Sequence, residues 1–152
     1  MQTSYCNGDI RISPPNLSEI RQTSINQDVL ESVDTWLPLA LKAEREVVYF
    51  SIYQQEKLVG QIFLHDGNSQ TGESLVGYHL FQPEYRGQGI GTSALELLLH
   101  YVKASTNFHH LVIITDEENK ASQRIAEECG FRFIGPAREG LPLIRYEWQR
   151  PC

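Results

Sequence analysis

The sequence contains no apolar run long enough to cross a bilayer: its two most apolar stretches, residues 36–41 and 95–102, are too short or too polar. The N-terminal segment MQTSYCNGDIRIS lacks the charged and apolar regions of a secretory signal, so no membrane role and a cytoplasmic location are expected. Cysteine is scarce. Cys6, Cys129 and Cys152 are odd in number, scattered, and without a Cys-x-x-Cys pair, which excludes a disulfide framework. Cys129 ends a helical pattern just before Gly130 and reads as a small buried residue, with a nucleophile as the alternative. The His109-His110 dipeptide has no partner at ligand spacing, so no metal is expected. Positive charge is also short: 13 Lys and Arg face 19 Asp and Glu, a net charge of -6. That leaves no basic footprint for nucleic acid or anionic lipid and suits a neutral or cationic substrate. Repeats, low-complexity tracts and linkers are missing too. The 152 residues, 41% hydrophobic and 21% charged, therefore predict one globular domain over 1–152.

What is present is a clear order of elements. Residues 9–13 alternate as a short strand, and Pro14-Pro15 ends it before a helix capped by Asn16 or Ser18. A second helical pattern runs over residues 27–44, with Pro38 kinking or splitting it. Residues 47–53 and 58–65 form a hairpin about residues 54–57, and residues 73–82 a third strand of the same sheet. A helix over residues 92–103 follows, with Leu95, Leu98, Leu99 and Val102 on one face, and then a continuous apolar strand at 111–115. A helix at 120–129 closes at Gly130, and strands at 131–134 and 141–148 finish the chain. The predicted class is α/β with a mixed, mostly antiparallel sheet flanked by helices, in the order β-αα-β-β-β-α-β-α-β-β. The apolar strand at 141–148 could offer an edge for a homodimer.

The sharpest local signal is Arg86-Gly87-Gln88-Gly89-Ile90-Gly91, between a strand and a helix starting at Thr92. Alternate glycines let the backbone turn tightly and aim successive N–H groups at an anion at the positive end of a helix, so a pyrophosphate is the natural guest. A Walker loop would need a Lys before Thr92. A dinucleotide fingerprint would need GxGxxG spacing and more chain for a doubly wound sheet.

These residues resemble the GNAT superfamily of acyl-CoA-dependent N-acyltransferases. Its loop pattern, Arg/Gln-x-x-Gly-x-Gly/Ala, is met by Arg86, Gly89 and Gly91, and a second block runs from Asn119-Lys120-Ala121-Ser122 to Gly130-Phe131. The Ser form of that block is more similar to the branch named for ribosomal-protein N-acetyltransferases than to the histone branch. The resemblance implies acetyl-CoA as cosubstrate, with the pyrophosphate on the N–H groups of residues 87–91 helped by Thr92. Phe81 and Gln82 would pair their backbone with the pantetheine arm, and Asn119 and Ser122 would line the other wall. For Arg86 a phosphate contact and a surface salt bridge stay open.

In many relatives a Glu acts as base and a Tyr as acid; matching by spacing puts the apolar Leu75, Ile114 and Ala126 at those positions. Strand alternation sets Glu73, Leu75, Gly77, His79 and Phe81 on one face, which makes Glu73 and His79 base candidates, against a solvated and a hydrogen-bonded structural role. Ser122 is the acid candidate, against an ordinary helix serine. Trp36, Tyr49 and Tyr53 read as core, with the acceptor cleft as the alternative. The expected activity is acetyl transfer to a primary amine of a small molecule, a polyamine or a protein N-terminus. The rival from another class is a non-catalytic acyl-CoA-binding or partner-binding module.

Overall fold

A computed structural model describes residues 3–152. Its strands form one eight-stranded sheet in the order β1-β2-β3-β4-β5-β6-β8-β7. The strands are β1 (Tyr5–Asn7), β2 (Ile10–Ser13), β3 (Val48–Gln54), β4 (Lys57–Asn68), β5 (Glu73–Leu80), β6 (His110–Asp116), β7 (Arg132–Pro136) and β8 (Leu143–Gln149). Every pairing is antiparallel except β5 with β6. The helices are α1 (Leu17–Gln22), α2 (Gln27–Leu41), α3 (Ile90–Ser105) and α4 (Lys120–Glu128), with a 3-10 turn at Pro83–Tyr85.

Two hydrophobic clusters sit on opposite faces of the sheet. Ile20 of α1 and Val29, Val33 and Leu37 of α2 pack with Tyr49, Tyr53, Phe63 and Phe81. Leu95, Leu98 and Val102 of α3 and Ala126 of α4 pack with Phe50, Ile52, Ile62 and Leu111. The apolar residues at period two in β3 therefore divide between the faces, and those at helical spacing in α3 supply one buried stripe. Tyr49 and Tyr53 belong to the core; Trp36 stacks on Phe63 at a centroid distance of 5.7 Å.

Three expectations need correction. A strand before residue 9 was not predicted, because three residues are too few to show alternation; β1 pairs with β2 around Gly8 and Asp9, a glycine-led hairpin turn. Pro38 does not split α2, which runs through it to Leu41, although the ring nitrogen gives no hydrogen bond back to the preceding turn. The third concerns the edge proposed for dimerisation. β8 is paired with β6 on one side and β7 on the other, so the sheet's edges are β1 and β7. No helix among the described residues is long and apolar enough to cross a membrane.

Candidate active site

The parallel pair β5 and β6 is hydrogen-bonded in register only at Glu73 with His110, Ser74 with Leu111 and Leu75 with Val112. Beyond Leu75 the two strands part, β5 staying on β4 and β6 staying on β8. The gap is the mouth of a cleft of about 700 Å³, lined by residues 76–80 of β5, 113–115 of β6, the glycine loop, and the start of α4.

Which backbone groups face the gap follows from the ladder. Phe81 N–H donates to Val59 O at 2.8 Å, and the His79 carbonyl points at Gly60, so the odd residues of β5 bond to β4. In an antiparallel pair the alternate residues turn their N–H and C=O the other way. The main-chain groups of Tyr78 and Leu80 are thus the ones offered to the cleft. Phe81 itself is unsuitable for the strand-addition role expected of it: it is fully buried, and its carbonyl accepts from Asn26 N–H at 2.8 Å. The Gln82 carbonyl accepts from Tyr85 N–H at 3.1 Å, and its side chain donates to Ser24 O at 2.9 Å. The free edge lies earlier on the strand than the sequence suggested.

At the end of β5 the chain turns through Gly87 and Gly89, with φ of +77° and +78°. Gly89 is the N-cap of α3, and no side chain caps that helix. Among the described residues no protein group accepts from the main-chain N–H groups of Gly87, Gln88, Gly89, Ile90, Gly91 and Thr92. A Cβ at Gly87 or Gly89 would meet nothing within 4 Å, so the loop opens to space, whereas one at Gly91 would come 2.6 Å from Ile125. The first two glycines serve the turn; Gly91 lets α3 approach α4. Six unspent donors at a helix N-terminus suit a pyrophosphate. Arg86 and Arg124 line the same cleft, and neither makes a salt bridge among the described residues. The Thr92 hydroxyl is occupied by Glu128 at 2.9 Å.

The remaining candidates separate. Asn119 caps α4 by accepting from Ser122 N–H at 3.1 Å, and both residues line the cleft. The Ser122 hydroxyl lies 2.9 Å from that of Tyr78, which burial pushes up to about 12. Tyr78 was missed because alternation assigns it to the face opposite His79; a gap between strands admits groups from both faces. His79 lines the cleft, its Nδ1 2.9 Å from Gln61 Nε2. Burial, and then the charge of Arg86, hold its pKa below the ordinary histidine value. Glu73 is not brought to this cleft. It stands six residues, roughly 20 Å, back along β5, with its carboxylate 2.9 Å from His110 Nδ1. Cys129 lies against Thr92 O with its thiol pushed up to about 12 by burial and by Glu96 and Glu128, which leaves it a packed, protonated residue. The described residues hold no group of three or more potential metal ligands.

The glycine loop at the start of α3 carries the sequence resemblance, and the family model described as Acetyltransferase (GNAT) domain matches residues 13–132. The chain belongs to this GNAT family. A curated relative, the ribosomal-protein-serine acetyltransferase of Escherichia coli (strain K12), is 29% identical over 86 residues. That stretch is 57% of this chain and 48% of the relative, so the match spans about half of that protein's length. Solved structures that share this chain's fold include the two that follow. A probable acetyltransferase superposes with a TM-score of 0.77 at 20% identity, covering 94% of each chain. RimL, a ribosomal L7/L12 alpha-N-protein acetyltransferase in complex with coenzyme A, has a TM-score of 0.72 at 16% identity, covering 95% of this chain and 96% of its own.

Proposed function

We propose that the protein transfers an acetyl group from acetyl-CoA to a primary amine. The observation that carries this reading is the continuity of three features: unspent N–H donors at residues 87–92, a free backbone edge at Tyr78 and Leu80, and polar side chains where β5 and β6 part. The loop would hold the pyrophosphate and the strand edge would pair with the pantetheine amide groups, as an added strand does. Bound there, the cosubstrate supplies a thioester, an acyl donor that needs no metal to react with an amine. The chain's part is to align the amine, exclude water and provide hydrogen bonds where charge develops. Tyr78, neutral at physiological pH, and Ser122 form the group suited to return a proton to the departing sulfur.

A peptide N-terminal amine is the first acceptor to try, since the relatives named above include a ribosomal-protein-serine and an alpha-N-protein acetyltransferase. Small amines and polyamines complete the panel, and the net negative charge favours cationic acceptors in either group. The test is release of free CoA thiol from acetyl-CoA by the purified protein, with each amine in turn. Amine-dependent release supports the proposal. Saturable CoA binding without turnover on any amine would favour a binding module.

A further inference from the structure

His79 is held by a buried polar set that the reading above leaves unused. Gln61 faces His79 across β4 and β5, and it is fully buried. Its Oε1 lies 2.6 Å from the Tyr49 hydroxyl, while its Nε2 lies 3.0 Å from Ser32 Oγ and 2.9 Å from His79 Nδ1.

The protons of this set can be counted. With the carboxamide oxygen toward Tyr49, the phenol donates to Oε1 and the two N–H groups donate to Ser32 Oγ and to His79 Nδ1. Each of these three donors then has an acceptor. If the carboxamide is turned over, the phenol proton loses its acceptor, and one N–H has none. Each orphaned buried donor costs about 1–3 kcal/mol, so the first arrangement wins. It requires Nδ1 to carry no proton. The neutral ring therefore carries its proton on Nε2, which has no partner among the described residues.

We propose that Tyr49 and Gln61 fix His79 as a neutral imidazole protonated on Nε2, so that its role is to donate a hydrogen bond into the cleft, to the reacting acyl oxygen, and not to deprotonate the amine. This rests on the acetyl-transfer reading for its chemistry, though not for its tautomer. In that transfer the N–C bond forms, the C–S bond breaks, and the amine's proton ends on the sulfur. His79 keeps its own proton throughout. Burial and Arg86 also oppose a charged ring, and a neutral imidazole is the weaker acid, one able to donate without losing its proton. Tyr49 and Gln61 are positioning residues, because they act only through His79.

The test begins with 15N NMR of the histidine rings in the intact protein without ligand, assigned by comparison with His79→Gln. An Nε2-protonated tautomer is expected in the wild type, and a shift toward Nδ1–H is expected in Gln61→Glu, whose carboxylate accepts from Nδ1. Tyr49→Phe, the mildest change, should give a mixture. On an accepted amine, His79→Ala should lose about 10²-fold in turnover. His79→Gln, which keeps an N–H but cannot act as a base, should recover most of that loss. A wild-type Nδ1–H tautomer overturns the proposal, as does a natively folded His79→Gln that is as slow as His79→Ala. If the tautomer is as expected but no amine releases CoA, the acetyl-transfer reading fails while the assignment of the ring stands.

Discussion

At Gly89 two requirements coincide, a left-handed φ of +78° and an open space for an anion in front of α3. Gly89→Asp violates both, through backbone strain and through a carboxylate placed among donors meant for phosphate. Acetyl-CoA should raise the melting temperature of the wild type, by the equivalent of about 2.7 kcal/mol at a hundredfold excess over Kd, and should leave the variant unmoved. Calorimetry showing wild-type affinity in Gly89→Asp would remove the loop from the site. At Tyr78 the hydroxyl is the issue: Tyr78→Phe should keep acetyl-CoA affinity and lower turnover about tenfold or more, and unchanged turnover would exclude the phenol from proton return. The loop was legible in the sequence because a glycine spacing is local information. The environment of His79 was not, since its hydrogen bond comes from Gln61 on a different strand and depends on the register of β4 with β5. Phe81 misled for the same reason: its partners, Val59 and Asn26, belong to other segments.

Among the elements, α3 depends on both of its ends. Its N-terminus is left open, and its C-terminus is closed from a distance by Arg150, just beyond β8. That guanidinium donates to Lys103 O at 3.1 Å, in the last turn where the helix has no N–H to offer, to Thr106 O at 3.0 Å, and to Val102 O at 3.0 Å, which also accepts from Thr106 N–H. Arg150→Ala should therefore lower stability by about 1.5–3 kcal/mol, the range for hydrogen bonds to a charged group, with little effect on CoA binding at the far end of the helix. Denaturant unfolding checks the first part, and an unchanged midpoint would show that water replaces the guanidinium. The helices and the longer strands were readable because their hydrophobic periods run over many residues. Strand order was not: that β8 enters between β6 and β7 is decided by pairing between segments distant in the chain. Gly8-Asp9 did carry a hairpin signal for β1, but the strand before it was too short to corroborate it.

Across the whole molecule, the sheet is joined by only a short pairing where β5 meets β6, and that closed end of the gap carries a polar clamp. His110 Nδ1 is 2.9 Å from Glu73 and its Nε2 2.8 Å from Glu147, while Arg145 binds Glu147 from the side, so β5, β6 and β8 are tied together. Partial burial pushes the Glu147 carboxyl up, but the hydrogen bonds from Arg145 and His110 outweigh it and hold the group below its ordinary value. Asp66 moves in the same direction: burial raises it, and its hydrogen bonds from His65 and Arg45 more than compensate. A carboxylate with a depressed folded-state pKa adds stability that is fully present above the unfolded value, about 4 for these groups, and is lost as pH falls through the lower folded value. Stability should thus decline on the acid side. Glu147→Gln, which removes one titrating group and its charge from the clamp, should melt lower than wild type at neutral pH and converge toward it as the solution is made acidic. Thermal melts of both proteins across that range test this. Curves that stay parallel down to about pH 3 would mean that Glu147 titrates alike in the folded and unfolded chain, and that the closed end of the cleft is held by packing alone.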